Sequence, residues 1–135
     1  MDTTKDFLAR ILPSVGNYVI TIIYSSGSAF NVAYDNLDDM VTGIAKHDKT
    51  DSTVYHAILT HKNNIELQAN GREKALRTKE TAFMAKTLCF DLDVGPAKPY
   101  ATRNEAGSAL KKVIGTLALP TPLIISSGKG LHVYC

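Results

Sequence analysis

The sequence predicts an α+β fold, and three observations carry that prediction. Short runs rich in β-branched and aromatic residues alternate with stretches whose apolar residues fall at helical spacing. Clusters of turn residues punctuate them, notably Ser25-Ser26-Gly27-Ser28 and Gly128-Lys129-Gly130. From Thr87 onward the segments read strand, helix, strand, tight turn, strand. That order is the first half, β-α-β-β, of a ferredoxin/RRM-like core. The expectation is one incomplete domain over residues 1–135: an N-terminal α/β unit over 1–86, then the truncated half-core over 87–135.

In the first part, Tyr18–Tyr24 (YVITIIY) reads as a strand, and Ala29–Tyr34 returns as a second one after the Ser/Gly turn. Leu37, Met40, Val41 and Ile44 stand at helical spacing, with Asn36 before them as a cap. Thr53–Leu59 (TVYHAIL) reads as a further strand. Asn70-Gly71 marks a turn, and Glu73–Lys86 is expected to form a helix.

The last third is patterned more sharply. Thr87–Val94 alternates, so Leu88, Phe90 and Leu92 share one face while Cys89, Asp91 and Asp93 share the other. Gly95-Pro96 stops it. Thr102 and Glu105 form a T-x-x-E capping box. The helix they open carries Ala106, Ala109, Leu110, Val113, Ile114 and Leu117 on one stripe, and Pro120 and Pro122 end it. Leu123–Ser127 and Leu131–Cys135 are strands joined by a glycine hairpin. In the ferredoxin-like plan the last of these pairs beside the first, which would set His132 next to Asp91 and Asp93 on an open face.

Composition bounds the function classes. A length of 135 residues, 44% hydrophobic and 21% charged, is ordinary for a globular domain with its own core. No apolar run approaches the roughly 20 residues of a membrane span, and Met1–Asp6 is too polar and acidic for a signal peptide. A cytoplasmic location without a membrane partner is expected. Two cysteines, Cys89 and Cys135, make neither a disulfide framework nor a metal knuckle. His47, His56 and His61 show no zinc spacing and read as structural or surface residues. Between His61 and Lys86 six Lys/Arg face three Glu, a solvated surface or a contact for an anionic partner.

The chemistry concentrates in two places. Asp91 and Asp93 stand two apart on one strand and project to one side. Like charges so close repel unless a cation lies between them, and Mg²⁺ or Mn²⁺ prefers such oxygen ligands together with substrate phosphates. Ser126-Ser127-Gly128-Lys129-Gly130 supplies hydroxyls, flexible backbone N–H groups and a cation, the groups that cradle phosphates. It is not a Walker A loop, since G-x-x-x-x-G-K-[ST] is absent. His132, beside the acidic strand, would donate to the same phosphates.

Leu88–Gly95, Lys98–Thr102, Glu105-Ala106 and Ile125–Tyr134 together resemble the archaeo-eukaryotic primase superfamily, most closely its phage- and plasmid-type primase-polymerases. The close resemblance covers about the last 48 residues. It implies a metal-dependent nucleotidyltransferase, a DNA primase/polymerase acting in replication. Asp91 and Asp93 would hold the catalytic Mg²⁺ or Mn²⁺; Ser126–Gly130 and His132 would bind the nucleoside triphosphate. Partners would be nucleotides and a DNA template or primer, with Arg72, Lys74, Arg77 and Lys98 as DNA or phosphate contacts and a helicase domain downstream. The setting would be a bacterial or phage-infected cytoplasm. The family's third acidic motif would fall after Cys135, so this polypeptide is expected to be an N-terminal fragment of the catalytic domain, inactive by itself.

Two other readings fit part of the pattern. A haloacid-dehalogenase-like phosphatase also ends an apolar strand in D-x-D and later uses a Ser such as Ser126, although it wants Gly-Thr where this chain has Val94-Gly95. A non-catalytic nucleotide or single-strand DNA-binding replication module would use the open sheet, Tyr134 and the basic 62–86 stretch.

Overall fold

A computed structural model describes residues 3–63 and 65–135. Among these the fold is mixed α+β, with three helices and several small antiparallel sheets. The chain divides into two units, one up to Lys86 and one from Thr87 to Cys135.

The first unit is organised around β1 (Tyr18–Tyr24), the central strand of a sheet ordered β2-β1-β3 with β2 (Ala29–Tyr34) and β3 (Ser52–His56). Adjacent residues Val19 and Ile20 are both buried, so β1 is covered on both faces, as its unbroken apolar sequence requires. Two helices add buried residues to this core. Helix α1 (Thr4–Ile11), which the sequence reading does not anticipate, starts where the Thr3 hydroxyl accepts the Asp6 N–H at 3.1 Å. It buries Leu8 and Ile11. Helix α2 (Leu37–His47) is capped by Asn36, whose side-chain oxygen accepts the Asp39 N–H at 2.9 Å, and it buries Met40. Leu8, Ile11, Ile20, Ile22 and Met40 are all essentially inaccessible; burying each stabilises the unit by roughly 1.5–3 kcal/mol.

Two expectations need correction here. The single strand over 53–59 is two strands, β3 and β4 (Leu59–His61). Ala57 N–H still donates to Val19 at 2.9 Å, the pairing is then interrupted, and it resumes at His61, which exchanges backbone hydrogen bonds with Asn17 just before β1. The expected helix over 73–86 is absent. Instead β6 (Glu73–Ala75) pairs with β5 (Ile65–Leu67) through the Asn70-Gly71 turn, and β7 (Ala82–Ala85) pairs with β4. Thr78 and Thr81 are the physical reason. Thr78 N–H donates to Thr81 Oγ1 and Thr81 N–H to Thr78 Oγ1, at 3.0 and 3.3 Å, and these threonine-to-backbone bonds build a tight turn in mid-segment. The unpaired edge of β4 then takes the apolar run after it.

In the second unit, β8 (Cys89–Asp93), α3 (Arg103–Leu117), β9 (Leu123–Ser126) and β10 (Gly130–Tyr134) form an antiparallel sheet ordered β8-β10-β9 with α3 against β10. The capping box is formed: Glu105 N–H donates to Thr102 Oγ1 at 3.2 Å, and Glu105 Oε2 accepts the Ala101 N–H at 2.9 Å. Ala106 and Leu110 are buried with Val133, whereas Val113 and Leu117, at the far end of the predicted stripe, are exposed. The helix stops at Ala118, which turns left-handed (φ 50°), two residues before Pro120. Among the described residues no helix is long and apolar enough to cross a membrane.

Candidate functional site

The register of β8 against β10 places the chemistry. His132 lies directly across from Asp91, Gly130 across from Asp93, and Tyr134 across from Cys89. Directly opposed residues of an antiparallel pair share a face. Cys89, Asp91, Asp93, His132 and Tyr134 therefore form one face, and Phe90, Leu92, Leu131 and Val133 the other. His132 Nε2 stands 3.6 Å from Asp91 Oδ1. The side chains of Asp91, Asp93 and His132 are 66%, 51% and 43% exposed, so the acidic end of this face is open to a ligand.

The far end of the same face is closed. Tyr134 is 7% exposed, which withdraws its ring from any role as a stacking platform for bases. Burial, followed by the neighbouring Cys89 and Asp91, pushes its phenol above the ordinary range. Burial and then Asp91 likewise raise the Cys89 thiol, which makes it a poor nucleophile at neutral pH.

The turn that joins β9 to β10 sits at the end of β8. Ser127 N–H donates to Gly130 at 3.1 Å, and only Gly128, the first of the two turn residues, has positive φ (84°), as a type II′ hairpin requires. Val94 N–H donates to the Lys129 carbonyl at 3.0 Å, fastening the turn beside Asp93. Gly130 is buried because β10 approaches β8 there; a Cβ would meet the Leu92 carbonyl oxygen. Ser127, Gly128 and Lys129 are exposed in the turn. Ser126 is placed differently: it pairs with Leu131, so its side chain belongs to the face opposite Asp91 and Asp93.

Two neighbours enter from outside the strands. Lys98 Nζ reaches Asp93 Oδ2 at 3.3 Å. Arg103, the first residue of α3, donates from Nη2 to the Gly128 carbonyl at 3.1 Å, tying helix to turn. The sequence reading misses the role of Arg103, and a separation of 25 residues carries no local signal for it. Arg72, Lys74 and Arg77 belong to the first unit. Arg72 and Lys74 line a cleft of about 530 Å³ beside β2, with Asn31 and Gln68. Arg77 donates to Thr21 Oγ1 at 2.8 Å. The remaining histidines pack: His47 edge-on to Phe30, His56 edge-on to Phe7, and His61 buried against Thr81.

The donor set suits a hard divalent ion. Among the described residues no three His, Cys, Asp or Glu side chains gather to hold a metal ion by themselves. Two carboxylates on one open face match the mode in which Mg²⁺ takes one or two carboxylates and completes its shell with waters and substrate phosphates. Comparison with protein-family models, curated proteins and solved structures finds no match for this chain.

Proposed function

We propose that the second unit is the nucleotide- and metal-binding part of a nucleotidyltransferase. More narrowly, it belongs to a primase-polymerase of the archaeo-eukaryotic type, extending a primer or an initiating nucleotide on a DNA template. The observation that carries the reading is the β8–β10 register, which puts His132 across from Asp91 and Gly130, where the Gly128-Lys129 turn ends, across from Asp93. The sheet order β8-β10-β9 with α3 between β8 and β9 supports the β-α-β-β half of a ferredoxin/RRM-like core.

In this mechanism Asp91 and Asp93 would hold Mg²⁺ or Mn²⁺, which would supply charge stabilisation for the entering and leaving oxygens of an in-line displacement. His132, beside Asp91, donates a hydrogen bond to a phosphate oxygen of the incoming nucleotide. The turn at Ser127–Gly130 offers backbone N–H groups and the Lys129 ammonium to the same triphosphate. Arg103 holds the turn in place through Gly128, and the buried Gly130 lets it lie close to the carboxylates.

The test is binding of a fluorescent nucleoside triphosphate in the presence of Mn²⁺ or Mg²⁺. Binding should need the metal and fall at least tenfold in Asp91→Asn and Asp93→Asn. Equal binding in chelator, or by the double variant, would sink the reading. A second reading, a non-catalytic single-strand DNA-binding module, is favoured by the cleft that Arg72 and Lys74 line. It predicts steeply salt-dependent DNA binding that needs no metal and weakens in Arg72→Ala/Lys74→Ala.

A further inference from the structure

We propose that Lys98 is an internal counter-cation for Asp93, released to the nucleotide's phosphates when the metal–nucleotide complex enters. The inference rests on the nucleotidyl-transfer reading and names the residue that makes metal binding conditional on nucleotide.

The loop after β8 is built to return Lys98 to the strand it follows. Gly95 N–H donates to the Tyr100 carbonyl at 2.9 Å, and Lys98 N–H donates to Gly95 at 3.1 Å. Val94 and Tyr100 form a parallel bridge that closes the loop at its base. Ala97, immediately before Lys98, is held at φ 58°, a conformation non-glycine residues rarely adopt. The outcome is the 3.3 Å contact between Lys98 Nζ and Asp93 Oδ2, with both side chains half exposed. Asp91 has its own nitrogen partner in His132 at 3.6 Å.

Each carboxylate of the pair therefore already faces a nitrogen of the chain. A bare divalent ion approaching Asp93 meets the ammonium already at Oδ2 and must displace it or sit beside it, a like-charge contact. A metal–triphosphate complex brings phosphate oxygens to the same place. Lysine is a compact charge on a flexible stem, so the ammonium passes from carboxylate to phosphate without leaving the site. Coupling of this kind is reciprocal: the nucleotide raises metal affinity by the factor by which metal raises nucleotide affinity.

Lys98→Met separates the two states. Mn²⁺ binding, read from the electron paramagnetic resonance of the free ion, is measured with and without a non-hydrolysable nucleoside triphosphate analogue. Without nucleotide the variant should bind Mn²⁺ about threefold tighter, a change of the size an exposed ion pair carries. With nucleotide it should bind about tenfold more weakly. Lys98→Arg, which keeps the charge, should stay near the parent in both. Unchanged affinities in Lys98→Met, or both moving in one direction, overturn the proposal. Asp93→Asn in the same assay tells the two failures apart. If it loses Mn²⁺ while Lys98→Met behaves as the parent, only the role of Lys98 falls; if it binds Mn²⁺ unchanged, the metal site and this proposal fall together. Far-ultraviolet circular dichroism confirms that each variant keeps its fold.

Discussion

Gly130→Ala should damage the second unit far more than Gly128→Ala, although the two glycines stand only two residues apart. At Gly130 the φ angle is ordinary, and the constraint is space. A methyl group there meets the Leu92 carbonyl oxygen, with the Leu92 carbonyl carbon at 3.2 Å and Asp93 Cα at 3.4 Å. These are backbone atoms of the neighbouring strand, so no side-chain rotation relieves the contact and β10 must move away from β8. Overpacking of that kind costs about 1–3 kcal/mol. The bonds at risk are Ser127 N–H to Gly130 and Val94 N–H to Lys129, each worth about 1 kcal/mol net. The total is roughly 3–5 kcal/mol, comparable with the whole stability expected of some 50 residues at about 0.05–0.15 kcal/mol each. At Gly128 the case reverses: φ is 84°, and nothing lies within 4 Å of an added Cβ. Alanine there costs only the left-handed strain, about 1–2 kcal/mol. Hydrogen exchange followed by mass spectrometry on peptides covering β8 and β10 reads the unit by itself. Gly130→Ala should abolish slow exchange in both strands, while Gly128→Ala should shorten it modestly. Equal protection in the two variants would refute the argument that close strand approach, and not turn conformation, fixes Gly130.

Three further outcomes follow from the same geometry. Gly107 and Gly115 lie in α3 with nothing within 4 Å of an added Cβ, so Gly115→Ala, and Gly107→Ala after it, should each raise the stability of the second unit by about 0.5–1 kcal/mol in denaturant titration. Thr102→Ala removes the acceptor for Glu105 N–H and should cost about 1 kcal/mol, with Thr102→Ser restoring most of it. His61 is buried, with Nε2 lacking a partner among the described residues; burial, then Arg77, holds its pKa below the usual histidine value. A depressed pKa means the neutral ring contributes stability that is full above the unfolded value, near 6.5, and is lost as pH falls through the folded one. Melting temperature should therefore drop as pH falls below about 6.5, and His61→Asn, which can keep a polar atom near Thr81, should flatten that slope.

What was legible in the sequence follows from how local each cause is. The 18–24 and 29–34 strands, the Asn36 and Thr102 caps and the 128–130 turn depend on neighbours within a few residues, and the structure keeps them at or near the expected positions. The failure over 73–86 arose because helix-favouring residues say nothing of a distant strand edge. The Thr78–Thr81 pair breaks the segment, and β4 captures its second half. Helix α1 escaped notice because eight residues bury only Leu8 and Ile11, too short a stripe to read as a period.

The candidate site divides along the same line. That Asp91 and Asp93 share a face follows from strand alternation, and that His132 joins them follows from the hairpin order once β10 pairs with β8. Ser126 shows the limit of motif reading: its place in the S-S-G-K-G string groups it with the turn, but pairing with Leu131 assigns its side chain to the apolar face. A single residue of register decides this, because side chains alternate with period two. Lys98 and Arg103 lie at the other extreme. One needs Ala97 in a left-handed conformation to reach Asp93; the other needs α3 docked beside the turn before it can hold Gly128. Neither condition is written in the spacing of charged residues. The acidic pair can thus be found from the sequence, while the contacts of Lys98 with Asp93 and of Arg103 with the turn emerge only from the folded chain.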